Sequence, residues 1–304
     1  MISFPTGFSK KFREILGDEF SKLEECLNIR PMKTIRVNTL KISKHELKKR
    51  LEEKGWKLHQ VPWCETAFFV ETEEKIAKSE EFFLGYFYIL DAASLVPPIV
   101  LNPKEDEVVL DLCASPGSKT TFMVELMKNK GLIIANDISP RRIEALSNNL
   151  QKTGSTNTVV TMMNGLNVKR LGMTFDKILV DVPCSASGTF ISSFSVLEFW
   201  SEHVVKKLSS LQKKLLKSAA EVLKEGGEIV YSTCSMDPEE NEENLDYAVK
   251  KLGLEPVKID LKGLKYRRGI ESYKGVRYEY SECAMRFYPF DNLTEGFFIC
   301  KLRK

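Results

Sequence analysis

The stretch EVVLDLCASPGSKTT, residues 107–121, decides how the rest of the chain is read. Val108, Val109 and Leu110 make an apolar run of strand length that ends in Asp111 and Cys113, and Pro116-Gly117 breaks it just before a helical segment from Ser118. Gly117 permits a tight turn. The backbone amides that open the following helix, with Lys119, can then face an anion or a ligand carboxylate. The loop matches neither GxxxxGK[ST] nor GxGxxG, so it offers no phosphate-gripping loop and no dinucleotide fingerprint.

The same rhythm continues outward. GLIIAND (131–137), NTVVTMM (157–163), FDKILVDVP (175–183) and GGEIVYSTC (226–234) read as strands, separated by helices from about Ser118, after Pro140 and from about Glu202 to Leu223. Strands recur near AMRFYP and GFFICKL. Strand, helix and strand in this order predict an α/β fold with a parallel sheet covered on both faces, which binds ligands beyond the carboxyl ends of its strands. Four strands end in polar or reactive residues: Asp111 with Cys113, Asp137, Asp181 with Cys184, and Thr233 with Cys234.

Residues 1–90 are mixed, with helical periodicity from Phe8 to Leu23, the strand-like TIRVNTL, a charged helix from about Ser43, and the strand-like AFFV and FYIL. They predict a small α+β domain, placed at residues 1–92, ahead of a catalytic domain at 93–304. Residues 1–50 hold 12 Lys/Arg against 6 Asp/Glu, whereas residues 51–90 hold 4 against 8, so a basic N-terminal face is expected within a net charge of only +3. Lys262 to Arg277 interleaves cations with tyrosines, the pairing that single-stranded RNA requires, and this stretch, Arg36 and Lys41 are the RNA-face candidates.

No apolar run approaches the roughly 20 residues that span a bilayer, and residues 1–30 lack the apolar core of a secretory signal, so a cytoplasmic protein without membrane contact is expected. Seven scattered cysteines without a CxxC pair and three histidines without ligand spacing give neither a disulfide framework nor a metal site.

Asp137 ends the second strand, where a carboxylate can accept both hydroxyls of a ribose or can instead cap the next helix. The first role suits an adenosine-type cofactor. A lone strand-end cysteine is more often a small buried apolar residue than a nucleophile. Cys184 and Cys234 form a pair of such residues on loops that open toward one sheet edge, and a thiolate there could perform covalent catalysis.

DLCASPGSKT, NDISPRR, DVPCSASGT and YSTCSMDPEENE, in this order and spacing, resemble the Nol/Nop/Sun family of RNA cytosine-C5 methyltransferases, archaeal transfer-RNA type. IRVNTLK, VPWCETAFFV, LGYFYILDAASLVPP and MRFYPFDNLTEGFFICKL resemble the family's flanking segments, so nearly the whole chain is covered. The resemblance implies a Rossmann-like S-adenosylmethionine-dependent methyltransferase sheet with an RNA-recognition-like N-terminal domain. It implies Cys234 as the thiolate that attacks cytosine carbon 6, Cys184 as the residue assisting release, Asp181 on the cytosine edge, and Lys119 favouring thiolate or holding Asp181. For the cofactor it implies Cys113, Ala114, Ser115, Pro116, Gly117, Ser118 and Lys119 around the methionine moiety, with Asp137 on the ribose and Arg142 and Asp181 nearby. The resemblance also implies Asn164 on the adenine amine of the cofactor, although Asn164 stands where relatives commonly have Asp, and Phe290 stands where many have His. The expected substrate is RNA, with transfer RNA favoured over ribosomal RNA, and the expected form is a monomer. DNA methylation, which would make Cys184 the nucleophile, and a non-catalytic RNA-binding assembly factor are the competing readings.

Overall fold

The computed structural model describes residues 3–304. Helices α1 (Thr6–Leu16) and α2 (Phe20–Glu25) open the chain. A four-stranded antiparallel sheet follows, built from β1 (Lys33–Val37), β2 (Lys57–Gln60), β3 (Ala67–Glu71) and β4 (Phe87–Leu90) in the order β2-β3-β1-β4, with helices α3 (Lys44–Glu53) and α4 (Glu80–Phe83) between its strands. Ser43 starts α3 by accepting the Glu46 amide on its hydroxyl. Helix α5 (Val96–Leu101) then leads into the larger sheet.

That sheet contains β5 (Val108–Asp111), β6 (Leu132–Asp137), β7 (Thr158–Met162), β8 (Phe175–Asp181), β9 (Leu223–Thr233) and β10 (Glu255–Val257). Their connections are helices α6 (Ser118–Leu126), α7 (Pro140–Thr153), α8 (Glu202–Val222) and α9 (Glu242–Leu252). A two-stranded ribbon of β11 (Ser272–Tyr273) and β12 (Val276–Arg277) precedes β13 (Met285–Phe287), helix α10 (Pro289–Asn292) and β14 (Phe297–Arg303). The strand order is β10-β14-β9-β8-β5-β6-β7, with β13 also paired to β14.

The sheet is mixed, which corrects the all-parallel expectation: β9, β8, β5, β6 and β7 are parallel, whereas β14 runs antiparallel to β9 and to β10. A strand reached through the α10 turn can return beside β9 without the crossover that parallel pairing demands. Side chains alternate between two cores. Val109, Leu179, Val230 and Ile299 face α5 and α6, while Leu110, Ile178, Val180, Ile229 and Tyr231 face α8 and α9. Strand order reverses direction between β5 and β8, which places a ligand crevice at their carboxyl ends.

One expectation for the N-terminal region, Arg36 as an RNA contact, is corrected. The apolar stripe of α1 and α2 packs on Phe190, Ile191, Leu197, Trp200, Met236 and Tyr288 of the large domain, away from the small sheet. Phe290 joins this cluster, stacked on Tyr288 with ring centroids 5.5 Å apart. Arg36, read as an RNA contact, is buried: it donates to Glu125 Oε1 at 2.8 Å, to the Ser118 carbonyl at 2.8 Å and to Thr121 Oγ1 at 2.9 Å. It therefore joins the small sheet to α6. Lys41 remains exposed but donates to the carbonyls of Leu84 and Lys152 across the same joint.

Removing one partner of a buried ion pair leaves an uncompensated charge, so Arg36→Met is expected to lower the unfolding free energy by about 3–5 kcal/mol in a urea titration. Arg36→Met combined with Glu125→Met should recover most of that loss.

Candidate active site

The loop after β5 closes on itself through the Gly117 amide, which donates to the Ala114 carbonyl at 2.8 Å. Gly117 has φ +103°, and a Cβ there would lie 3.0 Å from Leu146, so glycine meets both the turn and the packing of α7. Asp137 Oδ2 accepts the Ser115 amide at 3.3 Å and Oδ1 accepts the Ser139 amide at 3.0 Å. Arg142 donates to the Ser115 carbonyl at 2.7 Å, and Ser115 Oγ donates to the Arg142 carbonyl at 2.9 Å. Residues 113–117, Asp137 and Arg142 thus form one stitched rim.

Beside the rim lies a cleft with about 510 Å³ of empty space, solvent mouth included, lined by Cys113, Asp137, Arg142, Asn164, Pro183 and Leu211 among others. Burial pushes the Cys113 thiol well above the ordinary range, so it serves as an apolar wall. Asn164 Oδ1 accepts the Leu166 amide at 3.0 Å, leaving one lone pair of that oxygen for a ligand. Ser118 Oγ and Asp111 Oδ1 are buried and have no hydrogen-bond partner among the described residues. A carboxylate for a ribose, an orphaned hydroxyl at the start of α6 and apolar walls for a purine fit an adenosyl amino acid.

Across the β5/β8 crevice, Lys119 Nζ meets Asp181 Oδ2 at 2.7 Å, and Ser232 Oγ donates to Asp181 Oδ1 at 2.7 Å. Burial opposes the Lys119 charge, yet Asp181, with smaller help from Cys234 and Asp111, holds its pKa above the ordinary value. The sulfurs of Cys184 and Cys234 are 3.1 Å apart. The contact with Cys234 and then burial push the Cys184 thiol well up, and either sulfur can be the donor in the contact between them. The structure therefore brings Lys119, Asp181, Cys184 and Cys234 together beside the cleft.

The residues that hold the two cysteine loops carried no assigned role in the sequence. Asp237 Oδ2 accepts Ser187 Oγ at 2.7 Å, Ser235 Oγ at 3.2 Å and Trp200 Nε1 at 3.2 Å, while its Oδ1 faces Lys11 Nζ at 2.6 Å. Glu240 accepts the Ser185 amide at 3.0 Å, Gln212 Nε2 at 2.7 Å and Ser235 Oγ at 3.1 Å. Arg286 grips Glu242 with two hydrogen bonds of 2.9 and 2.7 Å. In the DPEENE run, Asp237, Glu240 and Glu242 are buried. Its unusual density of acids beside Cys234 was the available signal. Gly188 completes the clamp: its amide donates to the Cys234 carbonyl at 2.9 Å, and a Cβ there would lie 2.3 Å from the Gly296 carbonyl.

The tyrosine- and cation-rich stretch that was an RNA-face candidate is largely spent internally. Arg267 pairs with Glu19 and Asp291, Lys274 with Glu202, and Tyr273 and Tyr278 are buried.

Residues 98–303 match the family model described as 16S rRNA methyltransferase RsmB/F, and residues 4–92 match that of the N-terminal domain of 16S rRNA methyltransferase RsmF. The chain belongs to the RsmB/F (Nol/Nop/Sun) family of RNA cytosine-C5 methyltransferases. It is an RNA methyltransferase that uses S-adenosylmethionine. It is 38% identical to a tRNA (cytosine(49)-C(5))-methyltransferase of Pyrococcus abyssi, covering 97% of each chain. It is also 38% identical to ribosomal RNA small subunit methyltransferase F of Aliivibrio salmonicida, where it spans only 64% of the relative's length. Among solved structures, a methyltransferase homolog protein from Pyrococcus horikoshii superposes with a TM-score of 0.89 at 35% identity, covering 98% of this chain and 94% of that one. NSun6 from the same organism, determined with the S-adenosylmethionine analogue SFG, gives 0.87 at 26% identity, with 99% and 98% covered. The RsmB/F fold thus accounts for the mixed sheet and the N-terminal module together.

Burial, reinforced by the charge of Asp237, pushes the Glu240 carboxyl up to about 7. A raised carboxyl stabilises the native state fully below its unfolded pKa and loses that contribution as pH rises through the folded value. Glu240→Gln keeps a neutral hydrogen-bonding group. Relative to wild type it should gain stability between pH 5 and 8, by at most about 3 kcal/mol, in chemical denaturation at each pH.

Proposed function

We propose that this protein methylates carbon 5 of cytosine in transfer RNA through a covalent adduct between Cys234 and cytosine carbon 6. The observation that carries the mechanism is the 3.1 Å contact of two thiols beside the Lys119–Asp181 pair. The Cys234 contact and then burial disfavour ionisation of Cys184; in this reading Cys184 carries the S–H, which faces the Cys234 sulfur and favours negative charge there. Lys119 adds a nearby positive charge.

In this reading the Cys234 thiolate adds to carbon 6, and the electron pair of the 5,6 double bond is released toward carbon 5, which becomes nucleophilic. Asp181, oriented by Lys119 and Ser232, hydrogen-bonds the cytosine edge and stabilises charge developing there. Residues 113–119, Asp137, Arg142 and Asn164 would hold S-adenosylmethionine, whose sulfonium would give its methyl group to carbon 5 and leave as the thioether S-adenosylhomocysteine. Cys184 gives its S–H proton to the departing Cys234 sulfur and, as thiolate, takes the proton from carbon 5, which restores the 5,6 double bond. Cys184, in contact with that sulfur, assists the departure.

Transfer RNA is favoured because the Pyrococcus abyssi tRNA (cytosine(49)-C(5))-methyltransferase is 38% identical over 304 aligned residues.

Incubation with methyl-labelled S-adenosylmethionine and either transfer or ribosomal RNA, followed by a denaturing gel, tests both parts. Cys184→Ala should accumulate a protein–RNA adduct. Cys234→Ala should form none and should lower methyl transfer to background. An adduct that survives in Cys234→Ala would reverse the roles of the cysteines, and labelling of ribosomal RNA alone would reassign the substrate.

A further inference from the structure

Arg36, Arg267 and Lys274 are engaged in internal pairs, and beyond the exposed Lys262, Lys265 and Arg277 an RNA backbone could meet further free charge. The solvent side of α8 provides it. Helical spacing puts His203, Lys206, Lys207, Ser210, Lys214 and Lys217 outward, and all six are exposed. No carboxylate interrupts the helix between Glu202 and Glu221, and these bounding acids lie at its two ends. Glu202 is already paired with Lys274, and Glu243, the nearest acid of α9 to this helix, takes Lys213. The four outward lysines make no ion pair and no side-chain hydrogen bond among the described residues.

A second segment extends the patch. The 3₁₀ turns Gly165–Leu171 pack on α8, where Ser218 Oγ donates to the Gly165 carbonyl at 2.8 Å, and they carry the exposed Lys169 and Arg170. At 100° per residue, Lys207 and Lys214 lie within about 60° of Leu211 and Ser218, on the flank of α8 that meets these turns. The position matters as much as the charge. Leu211 and Leu215 of α8, with Asn164 and Gly165 at the start of the turns, line the cofactor cleft, so the same two elements face the cleft on one side and present cations to water on the other.

We infer that the outer face of α8, together with Lys169 and Arg170, is a phosphate-binding surface that holds the RNA substrate beside the cofactor cleft. Free ammonium groups spaced along one exposed helix match the repeated charge of a nucleic-acid backbone and impose no base sequence. They would position RNA without entering the chemistry. The inference rests on the RNA methyltransferase reading but is independent of whether the substrate is transfer or ribosomal RNA.

The test compares the full chain with the triple variant Lys207→Gln, Lys214→Gln, Lys217→Gln. A second triple variant, Lys104→Gln, Lys128→Gln, Lys130→Gln, removes the same charge around Glu105, at the opposite edge of the sheet. Binding of a transfer RNA transcript and of a ribosomal RNA fragment is titrated at several salt concentrations, with thermal melting and S-adenosylhomocysteine binding as controls. The α8 variant should raise Kd on the order of tenfold for whichever RNA the wild type binds and flatten the log Kd against log salt slope by about 2. It should leave cofactor affinity, melting temperature and kcat at saturating RNA unchanged, while the opposite-edge variant binds as wild type does. Unchanged Kd and slope in the α8 variant, with wild type still binding and methylating RNA, overturn the surface alone. That result would leave the face to a protein partner. Equal weakening by both triples also overturns it, as an effect of net charge. A wild type that neither binds nor methylates RNA overturns this surface and the proposed reaction together.

Discussion

Two buried carboxylates, Asp237 and Glu240, let thiols from separate loops stand 3.1 Å apart. Neither loop has regular secondary structure of its own at the cysteine, so the backbone ladder of β8 and β9 cannot fix the sulfurs. The carboxylates do so by taking hydrogens from both sides. Glu240 accepts from Ser185 and Ser235, and Asp237 accepts from Ser187 and Ser235. Burying an ionised carboxylate costs several kcal/mol unless it is paired and hydrogen-bonded. Lys11 supplies a charge for Asp237, whereas Glu240, with no cation on its oxygens, moves toward its neutral form. The remaining parts of the site hang on this lattice, because it sets where Cys184 lies relative to Cys234 and hence to Asp181.

Much of the fold was legible because strands and helices of the large domain alternate with clear apolar runs, each closed by Pro, Gly or a polar residue. EVVLD, GLIIAND and FDKILVD became β5, β6 and β8 with little change at their ends. The juxtaposition of Lys119, Asp181, Cys184 and Cys234 was also legible, since parallel strands bring their following loops to one edge. What the sequence hid were pairings over long separations. Nothing local to Arg36 distinguishes an RNA contact from a buried tie to Glu125, 89 positions away. The same is true of Arg267 and Glu19, and of an acidic DPEENE turn whose partners come from four other segments. The antiparallel course of β14 was likewise hidden, because an apolar run gives no strand direction.

The small sheet and the catalytic sheet are joined through α6. Arg36 reaches from β1 to the Ser118 carbonyl, one residue before the lysine that holds Asp181. Asn38 extends the joint by donating to the carbonyls of Gly85 and Thr153, each at 2.8 Å. A substrate gripped by the small domain would therefore be referred to a helix that is itself part of the active site. The planar donors of Arg36 and Asn38 meet backbone carbonyls at Ser118, Gly85 and Thr153, which restricts the geometry of this joint.

The union of Lys11 with Asp237 spans 226 positions of the chain. Helix α1 is made early in synthesis, yet its ammonium has no counterion and its aromatic stripe no cover until the segment from Phe190 to Asp237 has followed it. Contacts of such separation form slowly, since the intervening chain must first be ordered. The loop that carries Cys234 takes part of its support from the first helix of the chain, and truncation of α1 would remove the cation that faces Asp237.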